Sequence, residues 1–214
     1  MPIQASHLPT ILRSATHPIF LRTLEPRDAP AVSAVLSDPE NTNYDPHASA
    51  VSPEVAVVVI QRMRESAATP TVLDDKGTKV VSGPGRVNLV VVCVEGAGDT
   101  LHVTGDEGVV VGFGGYGGIN EREEGEGKVR IGDVGVMVNP EYRGRGFGVE
   151  AMRLAVEWGF KGVGQAGLQL KGITATMREE NEPMVGLVER KLGWEGVREG
   201  GEVKFEVTEE TWRK

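Results

Sequence analysis

The spacing of hydrophobic positions changes along the chain, and each change marks the edge of an element. Residues 1–17 show little periodicity and read as an N-terminal extension ahead of a single domain over residues 18–214. Ile19 to Leu24 alternates as a short strand does. Asp28 can cap a helix with Val32, Val35 and Leu36 on its apolar face, and Ser37-Asp38-Pro39 ends it. Ser52 and Pro53 open a second helix, in which Val55, Val58, Val59 and Met63 share one stripe at the 3.6-residue period. A turn-rich loop, Asn41 to His47, separates the two helices. Residues 66–86 read as loop, with a turn over Asp74–Gly77.

Strand patterns dominate the middle of the chain: Val87 to Val94, Gly108 to Gly118, and Val129 to Val138. An elaborated connection, Glu95 to Glu107, joins the first two, and an acidic turn, Glu121 to Lys128, reads as a solvated hairpin tip. Past Gly146 the period lengthens to 3.6, with Val149, Met152, Val156 and Phe160 on one stripe. Leu168 to Met177 reads as a strand, Asn181 to Leu192 as a helix stopped by Gly193, and Trp194–Val197 with Glu202–Val207 as a closing strand pair. This order gives a mixed α/β (α+β) fold with a largely antiparallel sheet in its first half.

Composition narrows the function. A chain of 214 residues with a single cysteine suits one disulfide-free domain, and Cys93, inside an apolar run, reads as a buried small hydrophobe rather than a reactive thiol. The four histidines, His7, His17, His47 and His102, have no helical or cysteine partner, so no metal site is expected. A net charge of −8 argues against nucleic acid and weakly favours a cationic acceptor. No stretch approaches the ~20 apolar residues of a membrane span. The start of the chain lacks the apolar core of a secretory signal, so the cytoplasm is the default location, with a faint organelle-targeting alternative.

Two glycine clusters invite a ligand. Gly112-Phe113-Gly114-Gly115-Tyr116-Gly117 satisfies the dinucleotide fingerprint, but a strand rather than a helix follows it. A bulge, or close approach of a ligand to the sheet, is the better reading. Arg143 to Gly148 lies instead between a strand and an amphipathic helix. There the helix's first N–H groups have no internal partner and face outward at the positive end of its dipole, where phosphate binds readily. The bland alternative is a surface turn with two solvated arginines.

Arg143-Gly144-Arg145-Gly146-Phe147-Gly148 resembles the (Gln/Arg)-x-x-Gly-x-(Gly/Ala) pattern of the GCN5-related N-acetyltransferases, the GNAT superfamily. Leu21 to Asp28 with Leu36 to Glu40, Val111 to Gly115, and Asn181 to Trp194 resemble segments of its ribosomal-protein N-terminal acetyltransferase subgroup, in the same order. The resemblance implies a GNAT-like acyl-CoA acyltransferase fold, a mostly antiparallel sheet splayed around the cofactor with about four flanking helices. It implies acetyl-CoA as cosubstrate, a primary-amine acceptor, and a monomer or homodimer.

By that resemblance, Arg143, Gly144, Arg145, Gly146, Phe147 and Gly148 would wrap the diphosphate of coenzyme A, and Val136, Met137 and Val138 would bond the pantetheine arm and thioester oxygen through their backbones. Asp133 stands where relatives carry a glutamate base, and reads either as that base or as an ordinary strand-end carboxylate. Asn181 would contact the cofactor or simply cap its helix. Tyr44 and Tyr116 would shape the acceptor pocket, or merely pack. The closing helix departs from the family: Met184 stands where some relatives have serine, no tyrosine occurs between Asn181 and Leu192, and the segment is one residue longer than usual. The acid role is therefore unassigned, and a non-catalytic acyl-CoA-binding module with this fold is the alternative to an active N-acetyltransferase.

Overall fold

The computed structural model describes residues 3–44, 49–94, 108–125 and 127–213, so the far end of the 41–47 loop and the 95–107 connection lie outside the described residues. The strands are β1 (Gln4–Ala5), β2 (Ile11–Arg13), β3 (Ile19–Thr23), β4 (Thr71–Leu73), β5 (Val80–Ser82), β6 (Val87–Cys93), β7 (Val109–Glu124), β8 (Gly127–Val138), β9 (Gly172–Arg178), β10 (Gly196–Glu199) and β11 (Glu202–Thr208). The helices are α1 (Ala29–Ser37), α2 (Pro39–Thr42), α3 (Pro53–Ala68), α4 (Phe147–Phe160), α5 (Glu182–Gly186) and α6 (Glu209–Trp212). Eight strands form one sheet in the order β10-β11-β9-β8-β7-β6-β3-β2, and β1, β4 and β5 form a small second one. No helix among the described residues is long and apolar enough to cross a membrane.

The large sheet is antiparallel except where β8 meets β9. Those two run parallel, joined by the crossover through α4, as a parallel pair requires. Their pairing covers only Ile131–Gly172, Gly132–Ile173 and Asp133–Thr174, after which they part. On one face α4 buries Met152, Ala155, Val156 and Trp158 against Leu89, Val91, Val134, Ile173 and Phe205. On the other, α1 and α3 cover β3 and β6, with Val32, Val35, Ala56 and Ile60 packed on Phe20, Leu24, Val90 and Phe113.

Several expectations need correction. Residues 1–17 are not a loose extension: β1 pairs with β4, β2 extends the large sheet, and the 66–86 segment supplies both β4 and β5. Strands of two or three residues are too short to show a period. On α3 the buried positions are Ala56, Ile60 and Ala67, whereas Val55 and Val58 are exposed. In a run of valines either stripe satisfies the helical period, and only the packing partner chooses. Asp28 precedes α1 as expected, but its carboxylate pairs with buried Arg22 through two 2.7 Å bonds instead of capping the helix. The strand expected from Leu168 begins at Gly172, and Trp194 is a core residue ahead of β10. Glu121–Glu124 belong to β7, which confines the hairpin tip to the residues around Gly125. Cys93 is buried, as expected.

His7 joins the N-terminal segment to the core. It is fully buried, 2.7 Å from the Thr71 hydroxyl and edge-on to Trp158. Burial, and secondarily Arg130, lower its pKa from 6.5 to about 4. As pH falls, the unfolded chain therefore takes up this proton before the folded one does. His7 should contribute nothing to pH dependence above about pH 6.5 and should lower stability progressively between 6.5 and about 4. Urea midpoints measured across that range should fall in the wild type and fall less in His7→Leu.

Candidate functional site

The turn ahead of α4 is held at both ends and open in its middle. Asn139 caps a short 3-10 turn, Pro140–Tyr142, and Phe147 is buried at the first position of α4. Between them Gly144 and Gly146 adopt φ of +75° and +81°, a backbone that disfavours any side chain. Gly144 and Arg145 are exposed, and Arg145 lies over the Tyr142 and Phe147 rings at 5.7 and 4.7 Å. The N–H groups of Gly144, Gly146, Phe147, Gly148 and Val149 donate to no protein group among the described residues. Five free donors at the positive end of a fourteen-residue helix can take an anion.

Arg143 departs from its expected role. Its N–H bonds Pro140 O at 3.1 Å, and its guanidinium bonds Val138 O, Glu40 and Asn41 at 3.2, 2.7 and 2.6 Å. These bonds turn its side chain away from the free donors and tie the turn to α2. A Cβ at Gly146 would stand 2.6 Å from His17 Nε2, so that ring, not open space, lies on the side-chain side of the glycine.

Beside this turn runs the part of β8 that β9 has left. Val134 to Val138 keeps its pairing with β7, while its other edge has lost β9. Val136 and Val138 approach Gly148 of α4, and Met137 points to the opposite face and is 38% exposed. Gly135 shares that opposite face, and nothing lies within 4 Å of where its Cβ would stand.

Asp133 sits at the last paired position, on the same face as Gly135 and Met137. It lines an open cleft of about 200 Å³ with Asn120, Arg122, Ile131, Thr174 and Lys204. Burial pushes its pKa up, and the Thr174 hydroxyl at 2.9 Å, the weaker Thr176 contact and Lys204 oppose the rise. The result is a carboxylate that accepts a proton more readily than a solvated one. The alternation Thr174-Ala175-Thr176 was visible in the strand pattern, but nothing local tied it to Asp133.

Residues 19–195 match the family model of the acetyltransferase (GNAT) domain. The chain belongs to the GNAT family. Among curated proteins, it is 30% identical over 113 residues to an N-acetyltransferase 9-like protein of Caenorhabditis briggsae, a match covering 52% of this chain and 50% of that protein. It thus spans about half the length of that relative. Among solved structures, a ribosomal-protein-S5-alanine acetyltransferase from Vibrio fischeri superposes with a TM-score of 0.62 at 18% identity, covering 95% of this chain and 98% of that one. Mycobacterium smegmatis RimJ in complex with CoA-disulfide gives 0.61 at 17% identity, covering 98% and 90%. A GNAT-family acetyltransferase from Bacillus anthracis gives 0.59 at 20% identity, covering 94% and 99%. At such identities these structures speak to the fold.

The other site expectations for a GNAT protein divide. Asn181 caps α5 through a bond from the Met184 N–H to its Oδ1 at 3.2 Å, so its side-chain oxygen is engaged locally. The helix expected over 181–192 is α5 followed by a π-helical turn, Leu187–Lys191. Such wider turns are frequent at functional sites. Tyr44 is half-buried beside residues outside the described set. Tyr116 is fully buried and donates to Ala155 O of α4 at 2.9 Å, so its side chain does not line an acceptor pocket. The expected bulge in this glycine cluster occurs between Tyr116 and Gly118, just past the regular pairing of Tyr116 with Val134, and leaves Gly117 open. Among the described residues no three His, Cys, Asp or Glu side chains converge as a metal site.

Two outcomes test these placements. Tyr116→Phe should cost about 1 kcal/mol of folding stability, read by denaturant unfolding, because Ala155 O loses a buried donor. Asp133→Asn should be at least as stable as the wild type at pH 7. The raised folded-state pKa means that ionising Asp133 costs the fold stability as pH rises from 3.8 through the raised value. That slope should be absent from the variant's midpoints.

Proposed function

We propose that this protein transfers the acetyl group of acetyl-CoA to a primary amine, a small-molecule amine or a protein N-terminus or lysine, by direct attack while both substrates are bound. The observation that carries the reading is the row of free N–H donors opening α4, set beside a strand edge that loses its partner after Asp133. The donors from Gly144 to Val149 fit a diphosphate. The free edge from Val134 to Val138 fits the amides of a pantetheine arm, which would bond to it as an added strand does.

Acetyl-CoA supplies the activated thioester, and the chain supplies position and proton management. For a lysine-like amine of pKa ~10.4, reaching the neutral form at pH 7 costs about 4–5 kcal/mol. Asp133, with its raised pKa, is the group on the open face that takes up that proton, directly or through water. Backbone N–H groups at the β8 edge face the developing negative charge on the carbonyl oxygen. Holding amine and carbonyl together supplies the larger share, up to roughly 7–11 kcal/mol. The empty floor at Gly117 and Gly135 leaves room for the amine to approach. The second reading, a non-catalytic acyl-CoA-binding module, is favoured by one observation: no tyrosine occurs in α5 or the turn after it to return a proton to the leaving thiolate.

Titration calorimetry with acetyl-CoA should show 1:1 binding on the order of micromolar. Gly146→Asp should weaken it at least about tenfold, because the positive φ and the His17 ring both exclude a side chain there. Release of free thiol across a panel of amines and peptides then reports transfer, and Asp133→Asn should slow it while keeping acetyl-CoA affinity. Absence of acetyl-CoA binding would overturn the assignment, and tight binding with no transfer to any acceptor would favour the second reading.

A further inference from the structure

The loop that receives the diphosphate has an unusual weakness. It carries glycines at 144 and 146, both at positive φ, so its shape is costly in chain entropy to hold. Phe147 anchors one end and the Arg143 bonds the other. Neither fixes Gly146, whose N–H is among the free donors.

The residues before β3 do. Ser14 is fully buried, and its hydroxyl is a junction: it accepts the N–H groups of Thr16 and His17 at 3.0 and 2.9 Å and donates to Glu150 Oε1 at 2.7 Å. Glu150 is buried in the first turn of α4, its own N–H bonded to Gly146 O at 3.1 Å, and Arg153 holds its second oxygen at 3.2 Å. The His17 ring stands edge-on to Phe147, with Nδ1 2.9 Å from the Thr16 hydroxyl and Nε2 against the vacant side of Gly146. One short segment therefore grips both the first turn of α4 and the glycine just before it. It also precedes residue 19, where the match to the family model begins.

We propose that the Ser14–His17 segment is a working part of the cofactor site, with His17 a positioning residue that holds Gly146 in its anion-accepting shape. The ring occupies the space through which Gly146 would otherwise relax. Glu150 serves as the tether: its carboxylate is taken up by Ser14 and Arg153, which lessens its repulsion of an incoming diphosphate. The inference rests on the cofactor assignment above and adds that a segment outside the family match sets the affinity of that loop.

The test is calorimetry of the full chain with acetyl-CoA, and with adenosine 3′-phosphate 5′-diphosphate, which carries a diphosphate but no pantetheine arm. His17→Ala should weaken both ligands by the same factor, on the order of tenfold, through lost preorganisation. His17→Gln, which refills the space beside Gly146, should recover most of the loss. Because His17 is partly exposed, the unfolding midpoint of ligand-free His17→Ala should stay close to the wild type. Ser14→Ala should weaken both ligands as well, with some loss of stability. Equal acetyl-CoA affinity in wild type and His17→Ala overturns this inference alone. A penalty seen with acetyl-CoA but not with the diphosphate probe also overturns it, since the effect would then lie outside the loop. A wild-type chain that binds no acetyl-CoA overturns the cofactor assignment first, and this inference with it.

Discussion

The structure turns on the short parallel contact between β8 and β9. Three residue pairs join the strands, and past Asp133 each goes its own way. A strand edge with unpaired N–H and C=O groups must be satisfied by water or by something that binds like a strand. A long antiparallel partnership with β7 continues through the break, so the other edge of β8 stays available without the sheet losing cohesion. α4 then packs across the sheet and brings its N-terminus to the end of that edge. The turn's free donors and the strand edge therefore share one origin: the crossover that makes β8 and β9 parallel.

Charge around this arrangement is local rather than global. The chain carries −8 overall, yet the turn ahead of α4 presents backbone N–H groups that donate to no protein group among the described residues. Arg143, the residue that looks most like a phosphate ligand, is used to bind α2 to the end of β8 instead. The turn ahead of α4 is thereby joined to α2. Glu150 is the counterexample to simple dipole reasoning. An acid in the first turn stabilises a helix but competes with a bound anion, and here its charge is spent on Ser14 and Arg153.

Asp133 shows the tension that burial imposes on a carboxylate. A carboxylate raised by burial is a better base and a worse structural group, since each step of ionisation works against the fold. The two threonine hydroxyls of β9 limit that cost without cancelling it. They reach Asp133 because it lies at the last register pair, so the break in the sheet also sets the environment of this carboxylate.

What could be read from the sequence was local. The strand–turn–helix of residues 129–160, the Ser52–Pro53 helix start and the helix-free glycine cluster all follow from period, caps and turn chemistry within about twenty residues. The expected roles of Tyr116, Arg143 and the α3 valines depended on partners far along the chain, and there the local pattern was silent. A residue in a strand has only two faces to choose from, and the register that pairs Tyr116 with Val134 put it on the α4 face. Either stripe of α3 suits a helix, and only contact with β3 and β6 selected Ala56 and Ile60. Period and capping are properties of neighbouring residues, so the sequence alone determined the elements and the turn that marks the site. Burial, register and the use of a charged side chain are properties of pairs distant in sequence, so only the tertiary structure decided that Asp133 sits at the parting of the strands and that His17 stands behind Gly146.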